Sequence, residues 1–318
     1  CNTPHHPLLH PGYPEPFTEQ PATRANVTTP IPGTERSPMS EPAHAVSQDD
    51  EESTADQPAT GATSVIAALE NAGVEIVFGI QGGAIMPVYD ALYHSDVRHV
   101  TMAHEQGAAH AADAFGIVSG TPGVCMATSG PGATNLVTGI ADANMDSDPV
   151  LALTGQVPTA FVGNDAFQET DTIGVTQPIT KHNIFADDEH RVGKDVGEAW
   201  ALAEQGRQGP TLVDLPKDIT QMESAEQVAP PEAPDTYETP ETAEESTVEA
   251  AAEALAAADQ PVILSGGGVI KGEAWDELRH LAKEYEIPVI TTMPGLGSFP
   301  EDHDRSLGMG CMHGTGYA

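Results

Sequence analysis

Gly123-Val124-Cys125-Met126-Ala127-Thr128, then Ser129-Gly130-Pro131-Gly132-Ala133-Thr134-Asn135, then a small-residue run to Asn144, is the stretch that decides the fold class. The first six residues are almost all apolar, with no polar alternation. Such a run suits a strand covered on both faces, which is the usual state of a parallel sheet. The Gly and Pro residues after it break the extended chain, and Ala133 to Asn144 returns to a helical pattern. Outward in both directions the same unit recurs. Strands are expected at Glu75 to Gly79, Val97 to Met102, Val150 to Thr154 and Thr211 to Leu215, and helices at Ser64 to Ala72, Ala84 to Tyr93, Glu105 to Val118 and Val196 to Glu204. Gly73 is a natural helix stop, and Asp195 with Glu198 has capping-box spacing. Strands alternating with helices predict an α/β fold, a parallel sheet with helices on both faces.

Composition divides the chain. Residues 1–58 are rich in Pro, Thr, Glu, Asp and His and poor in large apolar residues, so they are expected as a disordered extension. His5, His6 and His10 in it read as solvated side chains rather than metal ligands. Residues 59–220 form the first domain. A linker is expected over 221–246, its Pro/Glu/Thr-rich part from Glu223 to Glu245 exposed. Ser246 and Glu249 then form a second capping-box pattern. The strand Pro261 to Leu264, the loop Ser265 to Gly268, a helix from Glu273 to Tyr285 and the strand Ile287 to Thr291 open a second α/β domain over 247–318. A start at Cys1 and an end at Tyr317 and Ala318, after two clear strands of that domain, are expected of the front part of a longer chain.

Twelve basic residues against 48 acidic ones give a net charge of −36, which excludes nucleic-acid binding through Lys and Arg clusters. The excess is not confined to the extension and linker: those two segments hold 17 of the acids and two of the bases, leaving 10 bases against 31 acids elsewhere. Such a surface resembles that of proteins from a salt-rich cytoplasm, where counterions screen carboxylate repulsion. No apolar run reaches the roughly 18 to 20 residues of a membrane span and no signal pattern opens the chain, so a soluble cytoplasmic protein is expected. Cys1, Cys125 and Cys311 are odd in number and widely spaced, which reads as reduced and structural.

Three strand-to-helix junctions carry candidate chemistry. Gly79-Ile80-Gln81-Gly82-Gly83-Ala84 lets backbone approach a ligand, but lacks G-x-G-x-x-G spacing and taken alone reads first as a tight structural turn. Met102-Ala103-His104-Glu105-Gln106 puts a carboxylate at the carboxyl end of a strand, where open parallel sheets bind ligands; a Glu there also simply complements the helix dipole. Ser129-Gly130-Pro131-Gly132 reads as ligand contact or structural turn alike.

Taken together the loops are more specific. The segments GIQGGAIMPVYDAL, HEQGAAHAADAFG, TSGPGATNLVTGIADANMDSDPV, TGQVP, DAFQETD, TKHN and LVDLPKD, with PVILSGGG and TTMPGLGSFPEDH further on, resemble acetolactate (acetohydroxyacid) synthase large subunits. The similarity runs from about Thr63 through Lys217 and resumes in the second unit. It implies a thiamine-diphosphate pyrimidine-binding domain followed by a Rossmann-like middle domain, and a carboligase that decarboxylates pyruvate and condenses it with a second 2-keto acid, pyruvate or 2-ketobutyrate. Glu105 matches the glutamate such enzymes set against N1′ of the cofactor's aminopyrimidine ring, with Gly82, Gly83, Gly130 and Gly132 on the cofactor side. Phe167 and Gln168 match residues lining the active site, and Lys217 a lysine near the substrate entrance. Family members also hold a flavin (FAD), for which Arg207, Gly266, Gly267, Thr292, Met293, Met312, His313 and Gly314 are the implied positions. Mg²⁺ is implied through a C-terminal domain absent from this sequence, so no metal ligand is named and the chain alone is expected to be inactive. A dimer or tetramer is implied, with an oligomerisation face around the Gly79, Glu105 and Gly130 loops, and a small regulatory subunit is a further partner of such enzymes.

Two departures stand out. Gln81 replaces a usual Pro, and Ala103 a usual basic residue before the His-Glu pair; both bear on substrate more than on cofactor. A pyruvate oxidase, a glyoxylate carboligase or a non-catalytic flavin- or nucleotide-binding subunit are the alternative readings, and the Phe167-Gln168 pair favours the synthase over its catalytic rivals.

Overall fold

The structure is a computed structural model and describes residues 59–234, 240, 242–316 and 318. The expected extension, with Cys1, His5, His6 and His10, lies outside the described residues.

The first domain runs α1 (Gly61–Asn71), β1 (Ile76–Gly79), α2 (Met86–Leu92), β2 (Arg98–Thr101), α3 (Glu105–Ser119), β3 (Gly123–Ala127), α4 (Pro131–Asn135), α5 (Val137–Asp146), β4 (Val150–Gln156), α6 (Thr172–Thr176), β5 (His182–Phe185), α7 (Val192–Glu204), β6 (Thr211–Pro216) and α8 (Lys217–Gln221). Its six strands are all parallel, in the order β2-β1-β3-β4-β6-β5. Every residue of β3, β4 and β6 is buried, as the largely apolar composition of a strand covered on both faces requires, the polar exceptions being Thr154 and Gln156 of β4 and Thr211 and Asp214 of β6. Successive residues serve opposite faces. Val124, Met126, Leu151 and Leu153 join one core with α1, α2 and α7, whereas Cys125, Ala127, Val150 and Ala152 join the other with α3 and α5. Each large side chain buried this way contributes roughly 1.5–3 kcal/mol. The second core is built from small residues because α3 lies close on the sheet: a Cβ on Gly123 would stand 1.9 Å from the Ala112 carbonyl oxygen.

Several local expectations are corrected. Gly73 does end α1 with φ +75°, but the start of α1 is fixed by a Thr60–Thr63 capping box that the sequence reading passed over. The helix expected over Ala133 to Asn144 is divided at Leu136 into α4 and α5. Asp195 is not a cap: α7 begins earlier, with Arg191 in the cap position, and the Asp195 carboxylate accepts from Arg191 Nε at 2.7 Å. The helix-end donors Gly193 N–H and Lys194 N–H are taken instead by Glu226, at 2.8 and 2.7 Å. That contact also corrects the linker. Ser224 is buried, its N–H donates to the Ala59 carbonyl at 2.8 Å, and Asn71 Nδ2 donates to the Val228 carbonyl at 3.0 Å. Residues 223–228 therefore belong to the first domain, because they satisfy the backbone of α1 and α7.

The second unit comprises α9 (Glu245–Ala257), β7 (Ile263–Ser265), α10 (Gly267–Lys271), α11 (Trp275–Glu284), β8 (Val289–Thr291) and β9 (Ser306–Met309). Its sheet is parallel, in the order β7-β8-β9, one strand more than expected. Leu278, Ala282, Val289 and Phe299 form its core. Ser246 is a second cap that fails: α9 already begins at Glu245, with no side-chain bond at its cap. Among the described residues, no helix is long and apolar enough to cross a membrane.

Candidate active site at the carboxyl edge of the first sheet

Because all six strands run the same way, the loops after β1, β2, β3 and β4 open on one edge of the sheet. Glu105 is the first residue of α3, directly after β2, and is half-buried. His104 caps the helix, its Nδ1 accepting from Gln106 N–H at 3.1 Å. Glu105 Oε2 accepts from Asn135 Nδ2 at 2.9 Å, which ties the carboxylate to the end of α4. Its Oε1 faces bare backbone: a Cβ on Gly132 would stand 3.6 Å from it and 2.8 Å from Thr128 Cγ2.

Thr128 is where the loops meet. Its Oγ1 accepts from Ala84 N–H at 3.2 Å, and a Cβ on Gly82 would come within 2.4 Å of its Cβ. Gly130 sits at φ +61°, a conformation that L side chains rarely adopt, and a Cβ there would meet the Gln168 carbonyl oxygen at 2.5 Å. The structure thus gathers Gly82, Glu105, Gly130, Gly132 and the backbone of Gln168. Gly83 has open space beside it. Phe167 projects outward, with a relative exposure of 88%. Beneath the loops, Tyr89 is buried and its hydroxyl has no hydrogen-bond partner among the described residues. Burial, then the nearby Cys125 and Glu105, push that phenol above its ordinary range.

The Phe167-Gln168 loop is held by an acid next in sequence. Glu169 accepts from Ala166 N–H at 2.8 Å and from Gly163 N–H, and these two bonds hold its carboxyl below the ordinary range. Gln156, at the end of β4, donates from Nε2 to the Thr170 carbonyl at 2.8 Å and to Asp214 Oδ2 at 2.9 Å. Thr154 Oγ1 donates to Asp214 Oδ1 at 2.7 Å, as expected of residues paired across β4 and β6. Burial raises the Asp214 carboxyl to about 7, opposed by the bonds from Thr154, Gln156 and Thr172.

Lys217 lies elsewhere. It lines a cavity of about 550 Å³ with Thr63, Met86, Asp90 and Thr220, to which the Glu105, Gly130 and Gly132 loops contribute no residue. The flavin-side candidates are partly gathered. Arg207 and Gly267 line a cavity of about 610 Å³ with Ser147, Gly268 and Lys271, where Arg207 Nε donates to Ser147 Oγ at 2.7 Å. A Cβ on Gly266 would lie 3.8 Å from Thr292 Oγ1, so those two adjoin each other. Met293, Met312, His313 and Gly314 are not among the residues lining that cavity. The residues the sequence reading missed are Asn135, Thr128 and Asp214. Asn135 is 30 positions from Glu105, and no spacing rule links an N-terminal helix residue to an amide at the end of another helix.

Comparison with known proteins fits this geometry. Residues 59–175 match the thiamine pyrophosphate enzyme N-terminal TPP-binding domain, and residues 248–318 the central domain of the same enzymes. The chain belongs to the thiamine pyrophosphate enzymes. In this family it is similar to the acetolactate synthase of Mycobacterium bovis, 50% identical over 260 residues, covering 81% of this chain and 42% of that protein. The probable acetolactate synthase large subunit of Methanocaldococcus jannaschii is 51% identical over 258 residues, 80% of this chain and 44% of its own length. The acetolactate synthase large subunit of Corynebacterium glutamicum is 50% identical over 258 residues, 80% and 41% respectively. The chain spans less than half the length of these thiamine pyrophosphate enzymes.

Proposed function

We propose that this chain is the front portion of a cytoplasmic acetolactate synthase large subunit, whose whole protein decarboxylates pyruvate and joins it to pyruvate or 2-ketobutyrate. The observation that carries the reading is Glu105, a half-buried carboxylate at the carboxyl edge of a parallel sheet, held through one oxygen and flanked by glycine on the other. Thiamine diphosphate, when bound, supplies the nucleophilic carbon and the electron sink for decarboxylation. The residues present fit it, since the space beside Glu105 Oε1 is one that any side chain at position 132 would narrow.

The chain's own residues then have definite tasks. Asn135 Nδ2 fixes the rotation of the Glu105 carboxyl, so that Oε1 is presented to a ring nitrogen and can hold or release a proton there. Gly82, Gly130 and Gly132 let backbone close around the pyrimidine edge and exclude water. The backbone of Gln168 packs against Gly130 and places the Phe167-Gln168 loop at the rim. Lys217 offers a cation at the end of β6 that favours anionic 2-keto acids arriving from solvent. Arg207 and Gly267 border the groove that would take FAD, with Gly266, Thr292, Met293, Met312, His313 and Gly314 assigned to it by resemblance alone. The Mg²⁺ and diphosphate ligands we assign to sequence outside these 318 residues. A homodimer or homotetramer meeting at the Gly79, Glu105 and Gly130 loops, and a small regulatory subunit, complete the reading.

The test is Glu105→Gln in the full-length enzyme, with acetolactate measured from pyruvate. A positioned proton-transfer group typically contributes about 10²–10⁴-fold, so kcat should fall at least about 100-fold with the fold intact. Unchanged turnover would refute the role, and acetyl phosphate with peroxide as products would assign a pyruvate oxidase instead.

A further inference from the structure

A second group of potential ligands lies away from the proposed active site, where α3 packs on α5. His110 and Asp113 stand three residues apart on α3 and so share one face of it; Asp142 comes from α5. One ligand atom from each lies within 4.8 Å of the others, and His110 Nδ1 is 3.5 Å from Asp142 Oδ2. Ligand atoms about 2.0–2.2 Å from a divalent ion are roughly 3.0–3.5 Å apart, so the His110–Asp142 pair already has that spacing. Asp113, whose ligand atom lies within 4.8 Å of the other two, completes the set by closing in on them.

Asp113 supplies the independent observation. It is only 8% exposed, yet its Oδ1 has no hydrogen-bond partner among the described residues. A buried carboxyl oxygen that no donor reaches is disfavoured, and a cation or donor placed there relieves that cost. Asp113 shares a side-chain hydrogen bond with Asp148, whose cation is Lys271 Nζ at 2.6 Å, whereas no ion pair to Lys or Arg is seen for Asp113 or Asp142 themselves among the described residues. His110 and Asp142 are partly exposed, which leaves an open side for water and for entry of an ion.

We propose that His110, Asp113 and Asp142 form a binding site for a divalent transition-metal ion of the Zn²⁺ type, with one imidazole and two carboxylate ligands. The imidazole selects against Mg²⁺ and Ca²⁺, which prefer all-oxygen shells, and water fills the remaining positions. The ion bridges α3, the helix that begins with Glu105, to α5, the helix that ends at the junction with Lys271.

Calorimetric titration of ZnCl₂ into the full chain, without thiamine diphosphate, tests the site against a His110→Ala/Asp142→Asn double variant. Both changes are at partly exposed positions, so the fold persists, and binding by His5, His6 and His10 is common to both proteins. The chain should take up one more equivalent than the double variant, and Co²⁺ in place of Zn²⁺ should give visible absorption that the variant lacks. The single Asp142→Asn change should weaken that equivalent at least tenfold. Equal stoichiometry and equal affinity in the chain and the double variant would overturn the proposal.

Discussion

Replacing Asp214 by Asn should change the pH dependence of stability in a direction and by an amount that follow from its surroundings. Asp214 is 1% exposed in the middle of the sheet, and burial lifts its carboxyl from an ordinary 3.8 to about 7 in the folded protein. The folded value lies above the unfolded one, so between these limits the folded state keeps a proton that the unfolded chain releases. The sign is therefore that stability from this group is fully present below about pH 4, declines as pH rises and is lost above about 7. At about 1.36 kcal/mol per pH unit, the cost accumulated between pH 5 and pH 8 comes to roughly 2–3 kcal/mol. Asn carries no charge to bury, so the variant lacks that slope. The assay is urea unfolding of parent and variant at matched ionic strength from pH 5 to pH 8, read as the difference between them so that other acids cancel. The variant should gain roughly 2–3 kcal/mol on the parent over that range, even if the amide starts below it at pH 5 because Gln156 Nε2 has lost an acceptor. A difference constant with pH would refute the claim that the sheet holds Asp214 protonated near neutrality.

Two further outcomes follow from close contacts. Gly132→Ala puts a methyl 2.8 Å from Thr128 Cγ2 and 3.6 Å from Glu105 Oε1, so it should cost about 1–3 kcal/mol in thermal or urea unfolding and weaken thiamine diphosphate binding by the full-length enzyme; unaltered cofactor titration would detach Gly132 from the site. Lys271→Met removes bonds to the Asp146 and Ser147 carbonyls at 2.7 and 2.6 Å and to Asp148 Oδ1 at 2.6 Å, and should destabilise the second unit by about 2–3 kcal/mol. Fluorescence of Trp275 in a Trp200→Phe background isolates that unit, and an unshifted unfolding midpoint would show that Lys271 does not hold it.

What was legible in the sequence was whatever repeats along the chain. The core strands β3, β4 and β6 announce themselves because burial on both faces leaves them few polar positions, and the turn glycines follow from the tight junctions between strands and helices. β5 escaped notice because it is an edge strand, four residues long, that reads His182-Asn183-Ile184-Phe185 and needs little apolar content. β9 escaped because Gly308 takes φ +79° within it, beside a register shift in the β8–β9 pairing. The failed cap of α7 has a related cause: Asp195 satisfies the local rule, but Glu226, 33 positions from Gly193, reaches the α7 N–H groups first. The site divides along the same line. Glu105 could be picked out because a strand end and a resemblance both point to it, whereas the partner that orients it, Asn135, is fixed only by the depth at which α4 starts beside α3. The acids at the α3–α5 junction show the limit most clearly, since His110 and Asp113 are adjacent on a helix by spacing alone, but nothing short of the packed structure brings Asp142 to them and leaves an Asp113 oxygen without a donor.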